Sequence, residues 1–182
     1  MKRGGPPQDF QRVLKGAKTG NESAWEALYL WLAPEVLGFL KASRLHDPED
    51  VLGDVFFEVA RRIGDFRGER QGFRAWVFTI ARSRRVDDFR RRARRQEDRL
   101  DTAEHDVIPS RVDVEGDALG PLVLDDLMVH LDLLTDDQAE VLILRALGGW
   151  TSREIAEITG RSVGAVEQLH HRATRSLREI LG

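Results

Sequence analysis

Apolar side chains recur every three or four residues along almost the whole chain, and this spacing restricts the possible folds more than any other feature of the sequence. Residues three or four apart share one face of an α-helix, whereas a half-buried β-strand alternates apolar and polar residues. No convincing alternating run is present. The sequence therefore predicts an all-α protein. The clearest helical stripes are Ala24, Trp25, Leu28, Trp31, Leu32 and Val51, Val55, Val59, Ile63.

Start and stop signals place the helices of the first half. Asn21 and Asp47 each precede a stripe and can accept a hydrogen bond from a free backbone N–H group, and Pro48 stands where its missing N–H costs nothing. We expect the helix that Asn21 opens to break at Pro34, and the helix that Asp47 opens to end at Gly64 in the left-handed conformation.

An acidic stretch without a sustained stripe divides the chain. Residues 96–121 contain proline and glycine among acidic side chains, and the formal charge over residues 96–126 is −8. Such composition is typical of an extended linker. We therefore predict two small helical domains, residues 10–95 and 122–182, joined by an acidic flexible linker.

The second domain begins with an amphipathic stretch, residues 122–134. Thr135 and Gln138 then match a capping box, which opens a helix expected to end near Gly148 and Gly149.

The pattern over residues 151–177 indicates a helix-turn-helix. Thr151 and Glu154 form a second capping box, Gly160 can supply the positive φ of a sharp turn, and Ser162 can cap the next helix. An ordinary corner between two helices of a bundle is the alternative. The inward positions, small where the helices cross, are Ile155, Ala156, Val166, Leu169, Ala173 and Leu177.

The second helix of such a unit enters the major groove of DNA, where Gln is suited to adenine and Arg to guanine or phosphate. In an ordinary bundle the same face would only be solvated. The candidate DNA contacts of this unit are Arg161, Ala165, Gln168, His171, Arg172 and Arg175.

A block of arginines ends the first domain. Residues 82–95 hold eight Arg against two Asp, in a chain whose net charge is −3. Guanidinium groups that meet phosphates release counterions, so duplex DNA is the expected partner. Favourable interaction with the helix dipole would explain two or three of these arginines and not eight. The candidate contacts here are Arg82, Arg84, Arg85 and Arg91.

Aromatic residues stand just before the block, after a polar loop expected over residues 65–72. A base drawn out of the stack needs an aromatic pocket near phosphate-binding charge. Because Phe73 and Trp76 are residues of the kind that normally build a core, we expect at most one of them to stack on a base.

Together these motifs resemble the sigma factors of the bacterial sigma-70 family, extracytoplasmic-function (ECF) group. Residues 47–56 and 65–68 look like region 2.2, residues 73–82 look like regions 2.3 and 2.4, and residues 134–147 and 150–181 look like region 4. In that family region 2.2 docks on the clamp coiled coil of core RNA polymerase, and regions 2.3 and 2.4 melt and read the minus-ten element. Region 4 binds the flap tip and reads the minus-thirty-five element.

The resemblance implies a transcription initiation factor that binds core RNA polymerase and promoter DNA. The loop over residues 65–72, with Phe66 and Arg67, would hold a flipped base, and Trp76 is a further candidate DNA contact. Arg82, Arg84 and Arg85 would contact the upstream edge of the duplex. An anti-sigma factor is the family's usual further partner. The residues expected to contact polymerase are Asp47, Glu49, Asp50, Asp54 and Phe57.

No enzymatic chemistry is indicated. The chain has no cysteine, no paired-histidine motif and no phosphate-binding loop. We therefore predict no catalytic residue, metal site, cofactor or small-molecule substrate. The apolar runs are far shorter than the roughly 20 residues of a membrane helix, and no apolar stretch follows the basic start, so we expect a cytoplasmic location without membrane insertion.

Other functions remain possible at this point. A stand-alone helix-turn-helix regulator with an N-terminal dimerisation or sensing domain would bind its operator tightly without polymerase. An RNA-binding adaptor that uses the arginine block would leave the helix-turn-helix unexplained.

Overall fold

The structure, a computed structural model, describes residues 5–100 and 130–181. Over this part of the chain it contains α-helices and two short 3₁₀ turns, and no strand, which confirms the predicted all-α class. The 3₁₀ turns are Ile63–Asp65 and Leu131–Leu133. The helices are α1 (Phe10–Lys18), α2 (Glu22–Ala42), α3 (Pro48–Arg62), α4 (Arg70–Leu100), α5 (Asp136–Gly148), α6 (Ser152–Thr159) and α7 (Val163–Leu181).

The predicted linker overlaps the end of a helix. Helix α4 continues to Leu100, so residues 96–100 are helical. The rest of the predicted linker and residues 122–129 of the expected amphipathic stretch lie outside the described residues.

Helices α1 to α4 form the first helical unit. Helix α2 lies in the middle of this unit and contributes many of its core residues. Helix α2 packs against both α1 and α3, and α3 packs along α4. Leu32, Val36 and Leu40 of α2 and Val55 of α3 are fully buried in this core. Burial of each such side chain stabilises the fold by about 1.5–3 kcal/mol.

Helix α2 passes through Pro34 without a break, so the expected interruption is wrong. Leu32, Val36 and Leu40 are each 0% exposed and four residues apart, which shows that the buried face continues in register on both sides of the proline. Proline removes one backbone hydrogen bond and costs about 3 kcal/mol in a helix interior. Tertiary burial on the same face outweighs that cost, because helices in proteins are stabilised mostly by packing.

The start signals are confirmed, and one stop signal is not. Asn21 and Asp47 accept hydrogen bonds from the N–H groups three residues on, at 2.9 and 3.0 Å, and both capping boxes form. Gly64, however, lies inside a 3₁₀ turn without a positive φ. The N–H of Phe66 donates to the carbonyl of Ile63 across this turn, which tightens the helix end and leaves no need for a left-handed residue.

Helices α5 to α7 form the second unit, and the predicted helix-turn-helix is present. Gly160 joins α6 to α7 with φ of 69°, and Ser162 Oγ accepts a hydrogen bond from the Ala165 N–H at 3.2 Å. Val166 and Ala173 are fully buried. The sharp turn and the small residues at the crossing thus play the parts expected of them.

The two units pack against each other, with α4 on α6 and α2 on α5. Trp150 lies at the centre of this interface and is 1% exposed. Its ring meets Phe78 edge to face at 5.0 Å, and the guanidinium of Arg74 lies 3.7 Å above it. The sequence predicted two tethered domains and gave no indication of this contact.

We expect Gly148→Ala to destabilise the second unit by about 1–3 kcal/mol, as overpacking of a filled core does. A Cβ at position 148 would lie 2.1 Å from the indole of the fully buried Trp150, which has no room to move away. Urea unfolding followed by tryptophan fluorescence measures the change. Gly164→Ala, where nothing lies within 4 Å of an added Cβ, is the matched control. Equal stability of the two variants would contradict the prediction.

Candidate functional site

Two arginines of the block converge on one carboxylate of the other unit. Arg82 Nε donates to Glu140 of α5 at 3.1 Å, and Arg85 Nη2 donates to the same carboxylate at 2.7 Å. Glu140 is 1% exposed and Arg85 is also buried. In this arrangement neither arginine presents its guanidinium freely to solvent.

A third arginine, Arg84, faces α3. Its Nη2 donates to Glu58 at 2.9 Å, and Arg61 donates two further hydrogen bonds to Glu58 at 2.8 and 3.1 Å. The hydrogen bonds from Arg61 hold the pKa of the Glu58 carboxyl below its ordinary value, and the charges of Arg61, Arg84 and Arg62 add to this effect. Glu58 therefore fixes the position of Arg84 on the surface between α3 and α4.

The far end of the described block is more accessible. Arg91 lies 3.9 Å from Asp54 and 3.8 Å from Asp88, and its side chain is 56% exposed. Arg90 and Arg94 are exposed as well. This end of α4 offers positive charge to a phosphate backbone without any rearrangement of the two units.

Two aromatic rings lie side by side, Phe66 in the loop before α4 and Trp76 on α4. Phe66 and Trp76 are half-buried, with ring centroids 5.2 Å apart, whereas Phe73 is fully buried beneath them. Lys18 of α1 donates to the Phe66 carbonyl at 2.6 Å and holds the loop in place. Arg67, at the exposed tip, donates to the Gly64 carbonyl at 2.6 Å. Of the two candidate stacking residues, Trp76 is thus the accessible one.

Helix α7 presents a polar face to solvent. Gln168, His171 and Arg172 are exposed, and Ala165 is half-buried near the start of the helix. Arg175 is exposed and pairs with Glu179 at 2.8 Å. These residues follow one another along one side of the helix, which is the arrangement that a groove-reading helix needs.

Two neighbours of that face behave differently. Arg161 precedes α7 and forms an ion pair with Asp137 of α5. Burial lowers the pKa of His170, and the positive charge of Arg145 lowers it further. Arg161 is held against α5 by its ion pair with Asp137.

The exposed face of α3 brings together the residues expected to bind polymerase. Phe57 is 71% exposed, which is unusual for a large apolar side chain on a helix that is otherwise packed. Asp50 and Asp54 lie on the same face, seven and three residues before it. Asp47 caps the helix, and Glu49 pairs with Lys41 of α2 at 3.0 Å.

Sequence reasoning missed the acidic partners of the arginines. Glu58 lies among the buried residues of α3, and Glu140 directly precedes the apolar run that begins at Val141. A carboxylate at a buried position is rarely left without a cation, so its place in an apolar stripe was the available signal. Arg74 was missed as well, because its partners Trp150 and Glu35 are remote in sequence.

The described residues contain neither a metal-binding cluster nor a membrane-spanning helix. Residues 5–100 and 130–181 contain no group of three or more His, Asp or Glu side chains that could hold a metal ion. Within the same ranges, no helix has the length and apolar character needed to cross a membrane.

The two units match two models of one protein family. Residues 28–95 match Sigma-70 region 2, and residues 124–177 match Sigma-70 region 4. The chain is 32% identical over 168 residues to the RNA polymerase sigma factor CarQ of Myxococcus xanthus, which covers 91% of this chain and 93% of CarQ. It is 29% identical to the ECF sigma factor BldN of Streptomyces coelicolor, of which it spans 66%, a match that covers 94% of this chain.

Solved structures show the same fold. The sigma factor RpoE of Bartonella quintana, in complex with the anti-sigma factor NepR, superposes with a TM-score of 0.65 at 24% identity and covers 96% of this chain and 94% of RpoE. CnrH, in complex with the cytosolic domain of CnrY, superposes with a TM-score of 0.62 at 27% identity and covers 94% of this chain and 96% of CnrH.

The chain therefore belongs to the sigma-70 family, in its extracytoplasmic-function group. Members of this family are initiation factors that direct RNA polymerase to promoters, and they are not enzymes. The family expected from the sequence is confirmed.

We expect part of the stability of the first unit to disappear at acid pH through Glu58. Its folded-state pKa is lowered from the ordinary 4.5, so its ion pairs stabilise the fold above that value and are lost as the pH falls through the lowered pKa. The free energy of unfolding of Glu58→Gln should lie below that of the wild type at pH 7. The gap should close toward pH 3. Urea unfolding at several pH values tests this, with Glu26→Gln, at an exposed position of α2, as the control. A gap that stays constant with pH would refute it.

Proposed function

We propose that the chain directs polymerase to promoters by a division of labour between its two units. Residues 10–95 bind core polymerase and read the minus-ten element, residues 122–182 bind the flap tip and read the minus-thirty-five element, and the acidic segment 96–121 connects them. The proposal depends on one observation: Phe57 on α3 and the polar face of α7 are both exposed and lie on different helices. The chain can therefore bind polymerase through α3 and DNA through α7 at the same time.

The exposed face of α3 supports a polymerase contact. A large apolar side chain that stands in solvent among carboxylates is typical of the centre of a protein interface. Phe57 would fill a pocket on the clamp coiled coil, and Asp50 and Asp54 would meet basic side chains around it. Asp47 and Glu49 extend this acidic rim toward the start of the helix.

The aromatic pair supports a contact to melted DNA. Trp76 and Phe66 offer a stacking surface for a base drawn out of the duplex, because each ring is only half-buried. Arg67 of the loop would meet a phosphate near that base, and Arg91, about four turns further along α4, would meet the backbone of the adjoining duplex. Arg82, Arg84 and Arg85 would hold the upstream duplex edge.

Helix α7 supports reading of the second element. Gln168 and Arg172 are suited to base edges in the major groove, and His171 and Arg175 to the flanking backbone. Two weak contacts on one tether act together once polymerase fixes their separation, since the second contact becomes intramolecular. Selectivity for a promoter then belongs to the polymerase complex and not to the chain alone.

Regulation by an anti-sigma factor is part of the proposal. It is supported by the likeness to the Bartonella quintana RpoE, which is bound to an anti-sigma factor in its structure. An inhibitor that covers Phe57 would block the polymerase contact. We place the action of the chain in the cytoplasm, on the polymerase, with no catalytic step, cofactor or small-molecule substrate of its own.

Run-off transcription tests the proposed function. Purified chain and core polymerase are incubated with fragments of the source genome, and specific transcripts should appear only when both proteins are present. Arg172→Ala should weaken those transcripts by about tenfold, the cost of one lost base or phosphate contact. Tight, sequence-specific binding by the chain alone, with no effect on polymerase, would favour the stand-alone regulator instead.

We expect Phe57→Ala to weaken binding to core polymerase by roughly tenfold or more, as truncation of a central apolar anchor does. Because Phe57 is 71% exposed, its removal leaves the fold intact, and circular dichroism should be unchanged. Fluorescence anisotropy of the labelled chain against core polymerase measures the affinity. Phe89→Ala, at a 43% exposed position of α4, is the matched control and should stay within about twofold of the wild type. Equal losses for both variants would contradict the assignment.

A further inference from the structure

One side of α4 faces the second unit. Its members are spaced by three or four residues and therefore form a single stripe. Gln71 Nε2 donates to Glu154 of α6 at 2.6 Å, and Arg74 Nη2 donates to the Gly148 carbonyl at 2.6 Å. The stripe consists of Gln71, Arg74, Phe78, Arg82 and Arg85.

The same stripe carries two of the arginines assigned to DNA. Arg82 and Arg85 reach one carboxylate, Glu140, with three hydrogen bonds of 2.7 to 3.1 Å. Two guanidinium groups that converge on one anion make the arrangement with which arginines bind a phosphate group. In the free chain the Glu140 carboxylate thus takes the part that a phosphate group plays between two such arginines.

We propose that Glu140 is an internal competitor for DNA, so that the closed arrangement of the two units and DNA binding by Arg82 and Arg85 exclude each other. This inference rests on the proposed function, which assigns the two arginines to the upstream duplex edge. The site itself is a phosphodiester site, which Glu140 fills in the free chain and the promoter fills after the units separate.

The interface is built to open. A buried ion pair gains little net stability, because the desolvation of both charges offsets their attraction. Among the described residues no hydrogen-bond partner is available for Arg85 Nε or for Trp150 Nε1, although both atoms are buried. Buried polar atoms without a partner destabilise the arrangement that holds them. The closed form is therefore specified by its charges and weakened by its unsatisfied donors.

The consequence is a linked equilibrium. Anything that binds only the open form, whether promoter DNA or a polymerase that holds the two units apart, shifts the population toward it. The affinity of the free chain for DNA is lowered by the fraction of time it spends closed. Loss of the Glu140 charge should raise that affinity directly.

Charge neutralisation in the full-length chain tests the inference. Glu140→Gln should bind a short fluorescein-labelled DNA duplex about tenfold more tightly than Glu157→Gln at low salt. Glu157 is an exposed residue of α6 in the same unit, so its replacement changes the net charge equally and leaves the interface alone. Equal affinities for the two variants would overturn the proposal.

The separation of the units is measured in parallel. Because the chain has no cysteine, Lys15→Cys and Arg178→Cys allow two fluorophores to be placed specifically, one on each unit. Energy transfer should fall in Glu140→Gln and should fall in the otherwise unaltered labelled chain when duplex is added. Duplex that binds with no change in transfer would also overturn the proposal.

A reversible cross-link between the two units tests the inference without Glu140→Gln, in case that variant fails to fold. Gln71→Cys and Glu154→Cys, two positions in contact across the interface, are joined by a reducible bismaleimide. The locked chain should bind duplex at least about tenfold more weakly than the same chain after reduction, and should give no transcripts with core polymerase. Unaltered DNA binding by the locked chain would refute the inference.

The two proposals fail in different ways. A reduced chain that regains DNA binding and still gives no transcripts with polymerase would support the competitor and remove the proposed function. Core-dependent transcripts of equal strength from the locked and the reduced chain would support the proposed function and overturn the role of Glu140 as a competitor.

Discussion

A single buried carboxylate joins the two halves of this protein. Glu140 is 1% exposed and receives Arg82 and Arg85 from the other unit, beside the aromatic contact between Trp150 and Phe78. These charges meet beside the packing of α4 on α6 and of α2 on α5, and they fix where the second unit sits on α4. The seating of the second unit therefore depends in part on an interaction whose energy is a small difference between attraction and desolvation.

Helix α4 serves several surfaces because its arginines are divided among its sides. Arg84 and Arg91 turn toward acids of α3, Glu58 and Asp54, whereas Arg85 turns toward the second unit. Within the arginine block, Arg90 and Arg94 near the distal end are exposed and carry charge toward solvent. A helix that sequence composition describes as uniformly basic is thus, in three dimensions, mostly neutralised by specific acids, and its net attraction for DNA is much smaller than its arginine count indicates.

Local signals predicted most of the local structure, although the left-handed stop at Gly64 is wrong because a 3₁₀ turn closes the helix there. Other predictions failed where residues distant in sequence determine the structure. Caps, capping boxes and the left-handed Gly160 depend on a few neighbouring residues, so sequence alone located them. The break expected at Pro34 is wrong because residues packed from other helices stabilise α2 as a whole. The candidate DNA and polymerase residues stay predictions, although the structure adds what pattern could not: Phe57 is exposed, and Arg85 is paired with an acid 55 positions away.

The closed arrangement also bears on the order in which partners bind. The face of α3 with Phe57 is exposed while Arg82 and Arg85 are covered. On the proposed assignments, polymerase can therefore engage the closed chain, and DNA can engage Arg82 and Arg85 only after the units separate. A chain built in this way resists the large excess of nonspecific DNA in a cell, because its strongest phosphate site becomes available only in the presence of the enzyme that will use it. The binding of polymerase then supplies the free energy that separates the two units, and the binding of DNA does not have to supply it.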